Sequence, residues 1–99
     1  MYFVATNPEM LSAAADNLQS IGSAMSEQNA TVTGCTTEVM PAAADEVSAL
    51  TALQFSAHAV AYQAVSAQAS SIRELFVAAL QDGADCYAAT EAANAAWVS

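Results

Sequence analysis

The sequence predicts an all-α protein, a long antiparallel two-helix hairpin that completes a four-helix bundle with a partner protein. Three observations predict it. Alanine dominates the apolar content, the apolar residues recur at helical spacing, and a proline separates two long stretches with little between them. The 99 residues suit one domain, and 56% of them are hydrophobic but only 7% aromatic, with three Gly and two Pro. Alanine favours helix and contributes little core volume. A sandwich or barrel would need many more turn signals.

The first helix has a clear start at Asn7, Pro8 and Glu9. Pro8 fits the first helical position, where its missing N–H is not needed. It also pushes Asn7 out of the α region, which suits an N-cap. Glu9 falls in the first turn, where the helix dipole favours an acid. From there the apolar period is close to seven. Leu11, Leu18, Met25, Val32 and Val39 form one set, and Ala14, Ile21, Gln28 and Cys35 the other. The stretch TVTGCTT weakens the last turns with β-branched residues and Gly34. Pro41 stops the helix, expected over residues 8–39.

Residues 40–44 read as a short turn. Asp45 is the N-cap candidate of a second helix over residues 45–82, with Glu46 in its first turn and Gly83 as its C′ residue. Its larger apolar residues do not form a narrow stripe. Val47, Leu50, Leu53, Val60, Tyr62 and Val65, followed by Ile72, Leu75, Phe76 and Leu80, spread over roughly 200° at 100° per residue. One neighbouring helix cannot cover that arc.

At 1.5 Å per residue the helices measure roughly 48 and 55 Å, and the short connection folds them into an antiparallel hairpin. Such a hairpin is one layer thick, whereas domains normally need two. The uncovered apolar surface therefore predicts a partner. The candidate interface comprises Leu11, Leu18, Ile21, Met25 and Val32 on the first helix and Val47, Leu50, Leu53, Val60, Val65, Ile72, Leu75 and Phe76 on the second. Cys35 lies near the turn and Cys86 near the open end, on the order of 50 Å apart, so no disulfide joins them.

The charge balance excludes several functions. With ten acids, one arginine and no lysine, the formal charge is −9. Nucleic acid and anionic membrane surfaces are poor partners for such a chain. Its acidity keeps an apolar protein soluble or meets a basic surface. The start lacks a Sec-type leader, and the uncharged run Val47–Ile72 carries too many Ser, Thr and Gln residues to span lipid. No catalytic, metal-binding or cofactor-binding constellation stands out. His58 is a lone helical histidine, the acids are scattered, and no Gly-rich phosphate loop or nucleophile elbow occurs. Asn29-Ala-Thr31 matches a glycosylation sequon, but inside a helix.

Residues 83–99 read as a flexible tail with little apolar volume apart from Trp97, a docking contact rather than a site. Tyr87 and Glu91 would share one face if the tail were helical. Two readings stand side by side: a solvated last turn, or an address that another protein reads.

Three stretches in fixed order carry a resemblance. YFVATNPEML, with its aromatic start and Pro8–Glu9 pair, VMPAAADEVSALTALQFSAHA at the turn, and GADCYAATEA near the end together resemble the PE family of mycobacterial proteins. The resemblance spans essentially the whole chain. It implies a helical hairpin paired with a PPE-family protein and exported, folded, by a type VII secretion system. It implies that Tyr87 and Glu91 form a Tyr-x-x-x-Asp/Glu secretion signal beside a Trp-x-Gly turn of the partner. It implies a cytosolic chaperone contacting mainly the PPE subunit, and a destination outside the cell or at its surface. Some family members carry a further domain, sometimes a hydrolase; none is implied by these residues. The small secreted Trp-x-Gly hairpins are similar in length and tail, but Pro41 stands where their Trp-x-Gly would be.

The leading expectation is thus a non-enzymatic exported interaction protein. Two others compete with it: a self-associating hairpin or cytosolic homodimeric adaptor, and a lipid-handling module using the apolar face as a groove.

Overall fold

The computed structural model describes residues 3–99. Tyr2, part of the aromatic start noted above, lies outside the described residues. Two helices account for nearly everything described: α1, Pro8–Thr37, and α2, Glu46–Val98. No strand occurs among the described residues.

Both helix starts follow from their caps. Asn7 Oδ1 accepts from the Met10 N–H at 3.2 Å, and the Asn7 carbonyl accepts from the Leu11 N–H at 3.2 Å. At α2 the Asp45 carboxylate accepts from the Ser48 N–H at 3.0 Å and the Ser48 hydroxyl at 2.7 Å. These two bonds, hydroxyl first, hold the Asp45 carboxyl below the usual carboxylate range.

The helix ends differ from expectation. α1 stops at Thr37, not Val39. The Val39 N–H donates to Ser56 Oγ of α2 at 3.0 Å, which takes it out of the helical ladder. The threonines prepare that exit. Thr33, Thr36 and Thr37 donate their hydroxyls to the carbonyls of Asn29, Val32 and Thr33, at 2.7, 2.7 and 2.6 Å. Such back-bonding competes with the helix and loosens its last turns.

The stop expected at Gly83 is absent, and so is the non-helical tail. α2 runs through Gly83 to Val98, and no described glycine has a positive φ. One interior glycine costs a helix only about 1 kcal/mol. The stretch behind it, ADCYAATEAANAAWV, is nearly half alanine and has no proline to end it. Composition therefore outweighs the punctuation at Gly83.

The chain divides into two compact units, Met1–Ile21 with Ile72–Ser99, and Gly22–Ser71. In the terminal unit, Gln81 of α2 meets the start of α1. Its Nε2 donates to Asp16 Oδ1 at 3.2 Å, and its Oε1 accepts from the Ser12 hydroxyl at 3.0 Å. Ala15 is fully buried there (0% exposed), Ala84 is buried, and Leu11, Leu18, Val77 and Leu80 are half-buried. In the turn unit, the second half of α1, the connection and the first half of α2 form an antiparallel hairpin. Asn29 pairs with Ser66, and Val39 with Ser56.

Candidate functional site

The two faces of α2 divide by side-chain size. Buried and half-buried positions recur at spacings of three and four. In the turn unit these are Ser48, Ala52, Ser56, Ala59, Gln63, Ser66 and Ser70. Small and polar side chains thus fill the seam against α1. The larger residues Val47, Leu50, Leu53, Phe55, Val60, Tyr62 and Val65 are all exposed, Leu53 by 66%. In the terminal unit Ile72, Leu75 and Phe76 are likewise exposed. Within each unit the wide apolar arc read from the sequence faces outward, except for Leu80, which is half-buried.

On α1 the expected seam is displaced by one residue. Leu11 and Leu18 lie half-buried as expected, but the second line runs through Ala15, Gly22, Asn29 and Thr36, not Ala14, Ile21, Gln28 and Cys35. Ile21 is 55% exposed, and Met25 and Val32 are exposed too. The physical reason is width. In the turn unit a seam of small α2 residues closes only if α1 also presents small or hydrogen-bonding groups, here Gly22, Asn29, Thr33 and Thr36.

Asn29 is the polar centre of the turn unit. Its Nδ2 donates to Ser66 Oγ at 2.6 Å, and its Oδ1 accepts from the Tyr62 hydroxyl at 3.0 Å. Its carbonyl accepts from Gln63 Nε2 at 3.2 Å and from the Thr33 hydroxyl. With the side-chain amide nitrogen committed to Ser66 inside a helix, the sequon at Asn29 is a structural element. Sequence reading missed this role because it followed the large apolar residues. The small residues at three-four spacing on α2 were the available signal.

Tyr87 and Glu91 stand one helical turn apart on α2, both exposed, Tyr87 by 49%. Every residue from 85 to 99 is exposed, Trp97 by 92%. The pair is thus displayed on one face of a formed helix. Cys35 and Cys86 are both free and exposed. His58 is exposed on α2, beside a shallow depression lined by Leu50, Gln54 and Phe55. No helix among the described residues is long and apolar enough to cross a membrane.

The family model for the PE family matches residues 4–94, nearly the whole chain. The chain belongs to the PE family. It is 59% identical over 99 residues to PE family protein PE13 of Mycobacterium tuberculosis, covering 100% of both chains. It is 56% identical over 96 residues to the PE-PGRS family protein PE_PGRS33 of the same species, covering 97% of this chain and 20% of that one. It is 51% identical over 98 residues to Esterase PE16, also of M. tuberculosis, covering 99% of this chain and 19% of that protein. This PE chain therefore spans about a fifth of the two longer relatives.

Proposed function

We propose that this PE chain is a non-enzymatic, exported interaction protein that pairs with a PPE-family protein. The observation that carries the pairing is the outward placement of the large apolar residues. Leu50, Leu53, Val60 and Val65 are exposed while the seam is filled by alanine, serine and glutamine. Apolar surface on this scale favours burial against a partner, at about 25 cal/mol per Å². Two outward-facing helices completed by two from a partner give a four-helix bundle. Burial of that surface makes assembly a condition of full stability.

Membership of the family and the display of Tyr87 and Glu91 support the export reading. A type VII secretion machine reads the pair on the folded complex, with a chaperone contacting mainly the PPE subunit. The complex folds in the cytoplasm and ends at the cell surface or outside. Tyrosine supplies an amphipathic ring and glutamate a charge, so the reader offers an aromatic slot and a basic group. The alignment to Esterase PE16 covers only 19% of that protein, and its named activity is not carried over. The scattered acids and lone His58 of this chain offer no nucleophile with a base.

The test is secretion of Tyr87→Ala and Glu91→Ala. Both variants assemble with the partner and accumulate inside the cell. Normal secretion of both refutes the signal.

A further inference from the structure

We propose that Asn29 is the residue that sets the register of the helix pair in the turn unit. The seam there is nearly degenerate along its length. Ala52, Ser56, Ala59, Gln63, Ser66 and Ser70 repeat small or polar side chains at three-four spacing, and α1 answers with Thr33 and Thr36. Sliding one helix past the other by a turn would exchange small residues for small residues and change little apolar burial. Hydrophobic pattern, which ordinarily fixes register, is therefore weak at this interface.

Asn29 supplies what the pattern lacks. Three α2 groups converge on it within one turn: the Tyr62 hydroxyl on Oδ1, the Ser66 hydroxyl on Nδ2 and the Gln63 amide on the carbonyl. The set does not repeat along α2. One turn toward the connection, the positions of Tyr62, Gln63 and Ser66 are taken by His58, Ala59 and Tyr62. One turn the other way they are taken by Ser66, Ala67 and Ser70. Gln63 meets the main-chain carbonyl, which any residue at position 29 would offer, so the discrimination lies in the Asn29 side chain: one slip puts His58, and the other the much shorter Ser66, where the long Tyr62 side chain reaches Oδ1. Either leaves part of the Asn29 network unpaired in the seam, a cost that small-residue packing does not offset. The Val39–Ser56 bond pins the turn itself, and Asn29 fixes the helices beyond it.

Register decides which exposed residues of α1, Met25 and Val32, stand level with those of α2. Asn29 thus positions the partner-facing surface without touching the partner. That consequence rests on the pairing reading above, whereas the register itself does not.

The test is a distance between spin labels in the full chain, free of partner, at low micromolar concentration. Labels on Glu27→Cys and Gln54→Cys, in a Cys35→Ser, Cys86→Ser background, sit at exposed positions of the turn unit. They are offset along the axis by roughly 20 Å, so a one-turn slip moves the distance by about 5 Å. With Asn29 present, double electron–electron resonance gives one narrow distance. Asn29→Leu gives a second population displaced by about 5 Å. Asn29→Asp, whose carboxylate still accepts from the Tyr62 hydroxyl and accepts from the Ser66 hydroxyl once that turns to donate, retains the single distance. An unchanged single distance in Asn29→Leu overturns the proposal. If that variant fails to fold, the pair Tyr62→Phe with Ser66→Ala must give the second population, and a single distance there overturns it equally. Because no partner is present, failure of the register leaves the pairing reading standing, and failure of pairing leaves the register result standing.

Discussion

Replacing Gly83 with alanine tests whether α2 is one helix. Gly83 lies inside α2 without a positive φ, and a Cβ added there meets nothing within 4 Å. The methyl group therefore adds no clash, and the gain comes from the unfolded chain, which loses backbone freedom. Glycine in a helix interior is worse than alanine by about 0.5–1 kcal/mol. For a chain of this size that raises the thermal midpoint by about 2–5 °C. Far-UV circular dichroism during heating reads the shift directly. Gly34, where an added Cβ also meets nothing within 4 Å, is the companion, and Gly34→Ala moves the midpoint in the same direction. A lower midpoint for Gly83→Ala refutes the continuous helix. It would mean that the chain turns at Gly83 through a conformation that only glycine tolerates.

The Asp45 cap predicts a pH dependence. Its folded pKa is lowered by the Ser48 bonds, so its contribution is complete above the ordinary carboxylate range and disappears as pH falls through the lower folded value. Wild type therefore melts above Asp45→Asn at neutral pH, and the two midpoints converge in acid; parallel curves down to the acid limit contradict the cap. The two apolar classes also separate. Leu53→Asp changes an exposed position, so it leaves the helicity of the isolated chain intact and abolishes pairing. Leu18→Asp changes a half-buried position, so it costs the chain itself about 2 kcal/mol. Circular dichroism and co-purification together distinguish them, and a Leu53→Asp chain that still pairs tightly shows that the outer face of α2 is not the interface.

Much of the fold was legible because its signals are local. Asn7 with Pro8 and Asp45 with Ser48 are caps set by a few neighbouring atoms, and both sit where the sequence placed them. The α1 exit at Thr37 was not legible, because Val39 is drawn out by Ser56 from another element. Gly83 misled because a glycine after a long apolar run reads as a stop, whereas the alanines behind it carry the helix onward. The α1 seam was misjudged by one residue for a related reason. In an alanine-rich helix pair the small residues Ala15 and Gly22 are the buried ones, while Ile21, Met25 and Val32, expected at a partner interface, are exposed. Tyr87 and Glu91 were legible as a pair at helical spacing, and the helix that displays them was not.

The central claim is that the outward apolar face is covered by a PPE-family partner. Sedimentation velocity on the chain co-expressed with a PPE-family protein tests it most directly. The account predicts a one-to-one complex that stays soluble, while the chain alone is a folded monomeric hairpin of lower stability that self-associates through its exposed apolar face as its concentration rises. A stable homodimer that melts cooperatively on its own, and forms no complex with any PPE-family protein offered, would contradict it.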